Sequence, residues 1–294
     1  MAENKVEFLK TNQVTITGKL VEAIVKTGFD KNNKAYASVD ATVSCMLNGQ
    51  TNVFEINFYS KEMTAKNEVS KLYTSYTKMP ELKGRKVEIS AEISENRFWS
   101  ANLGQIASSQ KLVGKFIKGV LETEADKALF EVGGFIAKEL VEKVNKNNEI
   151  YRYDLVLGQA NYNNTGMRGI TLNIAPTDRE LVAGAKTYAT GMTVFVKGRL
   201  ESIEQQVTVE DENSGFGEKI VRVYTNKLKG FYITGGSKPI TDPEKGAYDM
   251  VTIKGLIDAY KAKDIELMNA AATDNADEAV EKAAPVTTRQ TSLI

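Results

Sequence analysis

Cations and aromatic rings interleave along two stretches of the chain, and together these residue types can hold an unpaired nucleic-acid strand. The first stretch carries Lys26, Phe29, Lys31, Lys34 and Tyr36, then Phe58 and Tyr59. The second carries Lys146, Tyr151, Arg152, Tyr153, Tyr162 and Arg168, with Arg222 and Tyr224 further on. Between them, Arg97-Phe98-Trp99 sets an arginine beside the single tryptophan. A base stacked on a ring contributes about 1–3 kcal/mol. Lysines and arginines add a sequence-independent phosphate term that falls with salt.

Other chemistry is curtailed by what the chain lacks. Histidine is absent and Cys45 is the sole cysteine. The commonest general base and metal ligand are therefore missing, and zinc sites, internal disulfides and histidine-based nucleophilic triads are excluded. Carboxylate-only magnesium sites and lysine chemistry stay open. Glu210-Asp211-Glu212 reads as a solvated loop tip rather than a metal site. Gly133-Gly134 and Gly235-Gly236 lack the Lys-Ser/Thr of a phosphate-binding loop and read as bends. No catalytic residue, metal or cofactor is expected, and the chain reads as a binding protein rather than an enzyme.

A length of 294 residues with 42% hydrophobic and 26% charged residues suits two globular domains. No apolar run approaches the ~20 residues that span a bilayer, and the N-terminus shows no signal core. A cytoplasmic protein is expected, in the host cytoplasm if phage-encoded. The net charge of zero is unevenly spread. Residues 12–118 hold 15 Lys/Arg against 10 Asp/Glu, 130–240 hold 14 against 13, and 241–294 hold 6 against 10. A basic first module is balanced by an acidic tail.

The elements that would position these residues are mainly strands. Val14 to Val25 alternates apolar and polar residues, with Gly18 at a bend. A turn at 31–34 leads into a strand whose Ala37, Val39, Ala41, Val43 and Cys45 share one face. Asn48-Gly49 marks a hairpin and 52–59 its return strand. Glu62 to Tyr76 has helical spacing, and 86–93 alternates again. The second half repeats this order: a β segment from Phe130 to Val141, a turn at 145–148, strands at 150–157 and 169–175, a helix through 177–188 with a capping-box pattern, and a strand at 191–201. A last hairpin joins 206–209 and 219–224 through Asp211–Gly215. Residues 249–268 can form an amphipathic strand or helix, and 270–294 reads as flexible.

Five strands with a helix between the third and fourth is the OB layout, a partly open Greek-key barrel. The expected fold is thus mainly β: two OB-like Greek-key barrels in tandem over 12–118 and 130–240, each with a short helix, an extension over 241–269 and an acidic tail over 270–294. The stretch Leu181 to Glu201, with Met192-Thr-Val-Phe-Val-Lys-Gly-Arg-Leu200, resembles the helix-to-fourth-strand passage of single-stranded DNA-binding proteins. Pro80 to Ile93 holds the same place in the first half. The whole is similar to large bacteriophage members with more than one OB-fold. That resemblance implies coating of single-stranded DNA in replication or recombination, and partner proteins recruited through the acidic tail. The Ser292-Leu293-Ile294 end differs from the acidic-plus-Pro-Phe tip of bacterial members.

In an OB barrel the second and third strands and their loops carry the groove. The candidate contacts are Lys26, Lys31, Lys34, Tyr36 and Tyr59, then Arg97 and Trp99, then Lys146, Arg152, Tyr162, Arg168 and Arg222. Several have a second reading. Tyr36 could pack under a loop, and Trp99 could seal a barrel end. Tyr151 and Tyr153 share a face with Leu155 and Leu157, so one or both belong to a core. Arg152 could pair with Asp154. DNA against RNA is left open. The alternative function is a structural or virion-assembly protein acting through protein–protein contacts.

Overall fold

The computed structural model describes residues 8–210 and 221–283, with side chains outside 204–228 and up to residue 271. Strand β1 (Asn12–Phe29) is long because it serves two partners within its own barrel. Its first part pairs with β4 (Lys86–Ser100) and its second with β2 (Ala35–Leu47). Gly18 sits at the changeover, where a Cβ would lie 2.5 Å from the Ser44 carbonyl oxygen. Only glycine lets the backbones pass this closely. Asn48 and Gly49, at φ 51° and 77°, make the tight turn into β3 (Gln50–Lys61). Strand β3 meets β5 (Gln105–Gly119) in parallel at Ile56 and Leu112, closing the circuit β1-β2-β3-β5-β4-β1.

Helix α1 (Lys71–Thr77) lies between β3 and β4, capped by the Ser70 hydroxyl, which accepts from the Tyr73 amide. It is shorter than its spacing predicts. The Thr64 hydroxyl accepts from the amides of Lys66 and Glu68, and Asn67 takes a φ of 59°. This local turn outcompetes the helix over 62–70.

The circuit recurs in β6 (Lys127–Val144), β7 (Ile150–Ala160), β8 (Met167–Ile174), α2 (Arg179–Ala185), β9 (Thr193–Glu210) and β10 (Val221–Gly236). Strand β6 pairs with both β7 and β9, and β8 meets β10 in parallel at Asn173 and Tyr232. Gly134 repeats the role of Gly18: a Cβ there would lie 2.5 Å from the Gly158 carbonyl oxygen. Helix α2 starts without the predicted capping box, since Asp178 makes no side-chain cap bond. The final hairpin is the far end of one long β9–β10 pair, and its loop at 211–215 lies outside the described residues. The chain is therefore mainly β, with two OB-type barrels each carrying a short helix.

Alternation sets the cores. Val39, Val43, Phe54, Ile56 and Phe58 are buried in the first barrel, and Leu155, Leu157, Ile170 and Leu172 in the second. Each such side chain contributes about 1.5–3 kcal/mol relative to exposure. Tyr76 of α1 packs edge-on against Phe58 at 5.1 Å and donates to the Lys115 carbonyl.

The barrels are joined along antiparallel β1 and β6, with Val14 opposite Phe130. Beside this seam, buried Asn12 extends the β1–β4 pairing of the first barrel by exchanging hydrogen bonds of 2.8 and 2.9 Å with the Ile93 backbone. Each barrel also lends an arm to the other. From the β4–β5 arm, Glu95 and Gln110 accept from the β8 amides of Gly169 (2.6 Å) and Thr171 (3.0 Å). From the β9–β10 arm, Ser202 donates its amide to Asn52 (2.8 Å) and Lys229 pairs with Glu55 (3.1 Å). On its other edge β8 meets β10 only at Asn173, so there borrowed side chains satisfy the Gly169 and Thr171 amides.

Helix α3 (Met250–Ala283) follows, the helical alternative for 249–268. Ile253 and Leu256 are buried with Phe8, Phe135 and Tyr248, and the Phe8 and Tyr248 rings stack at 4.7 Å. The remainder of the segment expected to be flexible, 284–294, lies outside the described residues. Among the described residues no helix is long and apolar enough to cross a membrane.

Candidate nucleic-acid interface

The outward residues of β1, β2 and β3 form one face of the first barrel. Register sets Lys26 beside Ser38 and Ser38 beside Tyr59, with Gly28, Tyr36 and Lys61 in the next row. The Tyr36 and Tyr59 rings lie 5.5 Å apart at 31°. Tyr36 can lie over β1 because residue 28 is glycine, whose absent Cβ would fall 3.2 Å from the tyrosine oxygen. Tyr59 is 52% exposed and Phe29, at the end of β1, is 70% exposed. Tyr59 thus offers an open stacking face with half-buried Tyr36 against it, while Phe29, of the opposite strand parity, is exposed at the edge of the face.

Cations surround them. Asp30 shapes the turn after Phe29, accepting from the amides of Asn32 and Lys34 at 2.9 Å each, and leaves Lys31 and Lys34 exposed at its tip. Lys26 pairs with Asp40 at 2.8 Å and Lys61 with Asp30 at 3.0 Å. The hydrogen bond from Lys26 holds the Asp40 carboxyl below the usual carboxylate range, and Asp40 raises Lys26 in return. The Lys34 amide, and after it Lys61, lowers Asp30. Phe29, Lys34, Lys61 and Met63 also line a shallow cup between this turn and the 62–67 loop.

The second barrel departs from this pattern. Lys146 is exposed on a turn built like the first, with the Asn145 side chain accepting from Asn147 and Glu149. The β6–β7 register slips between Lys143 and Val144, leaving Tyr151 unpaired. Tyr151 is exposed, whereas Tyr153 is buried. Arg152 is drawn onto Asp154 at 2.9 Å, and Asp154 is itself buried and bound by the Asn173 amide at 2.9 Å. This ion pair is the second of the two readings that Arg152 allowed. Tyr162 stands 89% exposed on the turn after β7. Arg168 bridges the seam, donating to Gln159 at 2.9 Å and pairing with Glu92 at 3.5 Å. Arg222 lies on β10 opposite Val209, and its side chain is outside the described residues.

Arg97 is engaged within the protein, away from the face its sequence neighbourhood suggested. Its guanidinium lies 3.6 Å from the centre of the Tyr260 ring of α3, donates to the Tyr260 carbonyl and pairs with Asp264. Only 12% of its side chain is exposed. Trp99 is half-buried on the β4–β5 arm opposite Ile106, neither in a barrel core nor beside Tyr36. Among the described residues no three His, Cys, Asp or Glu side chains converge as a metal site would require.

The YorF family model matches residues 10–271. The chain belongs to the YorF family. No curated protein matches this YorF chain in sequence. Among solved structures, the wild-type single-stranded DNA-binding protein from Thermus aquaticus is similar to it at 13% identity and a TM-score of 0.50. That match covers 80% of the YorF chain and 96% of the other. Rim1, a mitochondrial single-stranded DNA-binding protein of S. cerevisiae, matches 38% of the YorF chain and 97% of its own, at 18% identity and a TM-score of 0.27. At such identities the Thermus likeness speaks to fold.

Lys61 and Gln110 of the YorF chain were missed by sequence reasoning. Lys61 was legible in principle, because it lies two residues beyond Tyr59 on an alternating strand and so shares its face. Gln110 carries no such signal, since what surrounds it comes from the other barrel.

Proposed function

We propose that the chain binds single-stranded DNA with little sequence preference, on the β1–β2–β3 face of the first barrel. The observation that carries this reading is exposed Tyr59 packed against half-buried Tyr36, with Lys26, Lys31, Lys34 and Lys61 around the pair and exposed Phe29 at the end of β1. Lysines capture the phosphates and the rings then stack the bases, with no covalent step. The solved single-stranded DNA-binding protein from Thermus aquaticus, which shares the fold, supports the reading. Coating of DNA in replication or recombination, a cytoplasmic setting, and partner proteins reached through 270–294 belong to the same proposal.

The test is a fluorescence-anisotropy titration of a labelled oligothymidylate and a duplex of equal length across a salt series. The single strand should bind more tightly, with affinity falling steeply as salt rises. Equal binding of both, or none, rejects the proposal. The exposed Phe98 and Leu103 on the β4–β5 arm favour a second reading, in which the chain works through protein contacts. Self-association in sedimentation without any oligonucleotide binding would select it.

A further inference from the structure

Between the barrels, where the β9–β10 arm crosses β3, lies an open cleft whose apolar wall includes Phe54, Leu112 and Phe231. Gln110 lines it too, and its amide orientation is fixed. Its oxygen accepts from the Thr171 amide at 3.0 Å, and the reverse orientation would set donor against donor. The other end of the side chain, Nε2, is buried and has no acceptor among the described residues. A buried amide donor left unsatisfied is costly, so the cleft is furnished for something that brings an acceptor. Lys111 and Lys229 stand exposed at its rim, where phosphates would pass.

The cleft is continuous with the stacking face. Tyr59, Asn57 and Glu55 are alternate outward residues of β3, and Asn57 and Glu55 already line the cleft. Alternate residues on a strand are about 6.6–6.8 Å apart, comparable with the reach of one nucleotide step. A chain laid along β3 from Tyr59 therefore arrives at the cleft within one or two nucleotides.

We infer that this cleft seats one nucleobase of the bound strand, its ring against Phe231, and that the wall over buried Gln110 Nε2 parts as the base enters, so that a carbonyl or ring-nitrogen acceptor reaches it. Lys229, which pairs with Glu55 at 3.1 Å, exchanges that carboxylate for a phosphate as the base enters. The inference rests on the first barrel being the strand-binding module. It adds a second, differently built base site, formed by both barrels, which truncation to either barrel would remove.

Photocrosslinking of an oligothymidylate carrying 4-thiothymidine, followed by peptide mapping, tests it on the full chain. Adducts should form at Tyr59 and also within 110–112 or 229–231. Gln110→Glu keeps the acceptor for Thr171 and nearly the same volume, but turns the donor into an acceptor. It should cut the cleft adducts about five- to tenfold while leaving the Tyr59 adducts near wild type. Adducts at Tyr59 with none in the cleft, or cleft adducts unchanged in Gln110→Glu, overturn the inference and leave the first-barrel reading standing. An absence of oligonucleotide binding in the wild type rejects both.

Discussion

Asp40 and Asp154 hold matching places in the two barrels, and their surroundings make the two faces unequal. Each is the register partner of an asparagine on the next strand and accepts that asparagine's amide, from Asn57 at 2.6 Å and Asn173 at 2.9 Å. Each also pairs with a cation, Lys26 or Arg152. The Asp40 side chain is 47% exposed and that of Asp154 9%. In the first barrel the pair lies in water and a phosphate can displace the carboxylate. In the second it is part of the packed structure.

Replacing Asp40 by Asn should therefore tighten DNA binding. The Asn57 contact survives on the remaining carbonyl, while Lys26 is released for phosphate. Affinity for oligothymidylate should rise about two- to fivefold at low salt. The log–log salt slope should steepen by roughly 0.7 for one added phosphate contact. Titrations at several salt concentrations check both figures.

The rings should divide by barrel. Phe29→Ala and Tyr59→Ala should each lose about 1–3 kcal/mol of binding free energy, the worth of one stacked base. Tyr151→Ala and Tyr162→Ala, on the second barrel, should stay within twofold of wild type. Equal losses in both sets would mean that the strand engages the two barrels alike.

Glu88 links stability to pH. Hydrogen bonds from Lys118 and Lys127, each at 2.8 Å, hold its carboxyl at about 2, against an ordinary value of 4.5. With a folded value below the unfolded one, the stabilisation is full above about 4.5 and fades as pH falls toward 2. The pairs are partly solvated, so the effect is at most about 1 kcal/mol. Urea midpoints of Glu88→Gln should fall short of wild type at pH 6 and converge with it near pH 2.

Cys45 reports on unfolding. It is buried behind Gly18, and burial pushes its thiol up to about 12. Thiolate is the reactive form, so modification by a disulfide reagent at pH 8 should proceed at the rate at which the first barrel opens. Rapid labelling of the native protein would show that the β1–β2 pairing breathes.

The barrel layout was legible because it rests on local signals: alternation in β2 and β3, Asn48-Gly49, and the glycines at the two bends. Tyr36 and Tyr59 were legible for the same reason, since strand parity decides which way each points. Arg97 was not, because Tyr260 and Asp264, which occupy it, lie far along the chain on α3. The Tyr151 bulge reversed the parity of β7, so its two tyrosines went opposite ways. Local pattern carries no information about such register slips, nor about side chains borrowed between barrels such as Glu95 and Gln110.

Amide hydrogen exchange with and without saturating oligothymidylate tests most directly which surface holds the strand. The amides of the 30–34 turn and the 62–70 loop, both flanking Phe29 and Lys61, should slow about tenfold or more, and those of 145–149 should not change. Slowing confined to 145–149 and 161–165, with the first-barrel turn unaffected, would contradict the assignment.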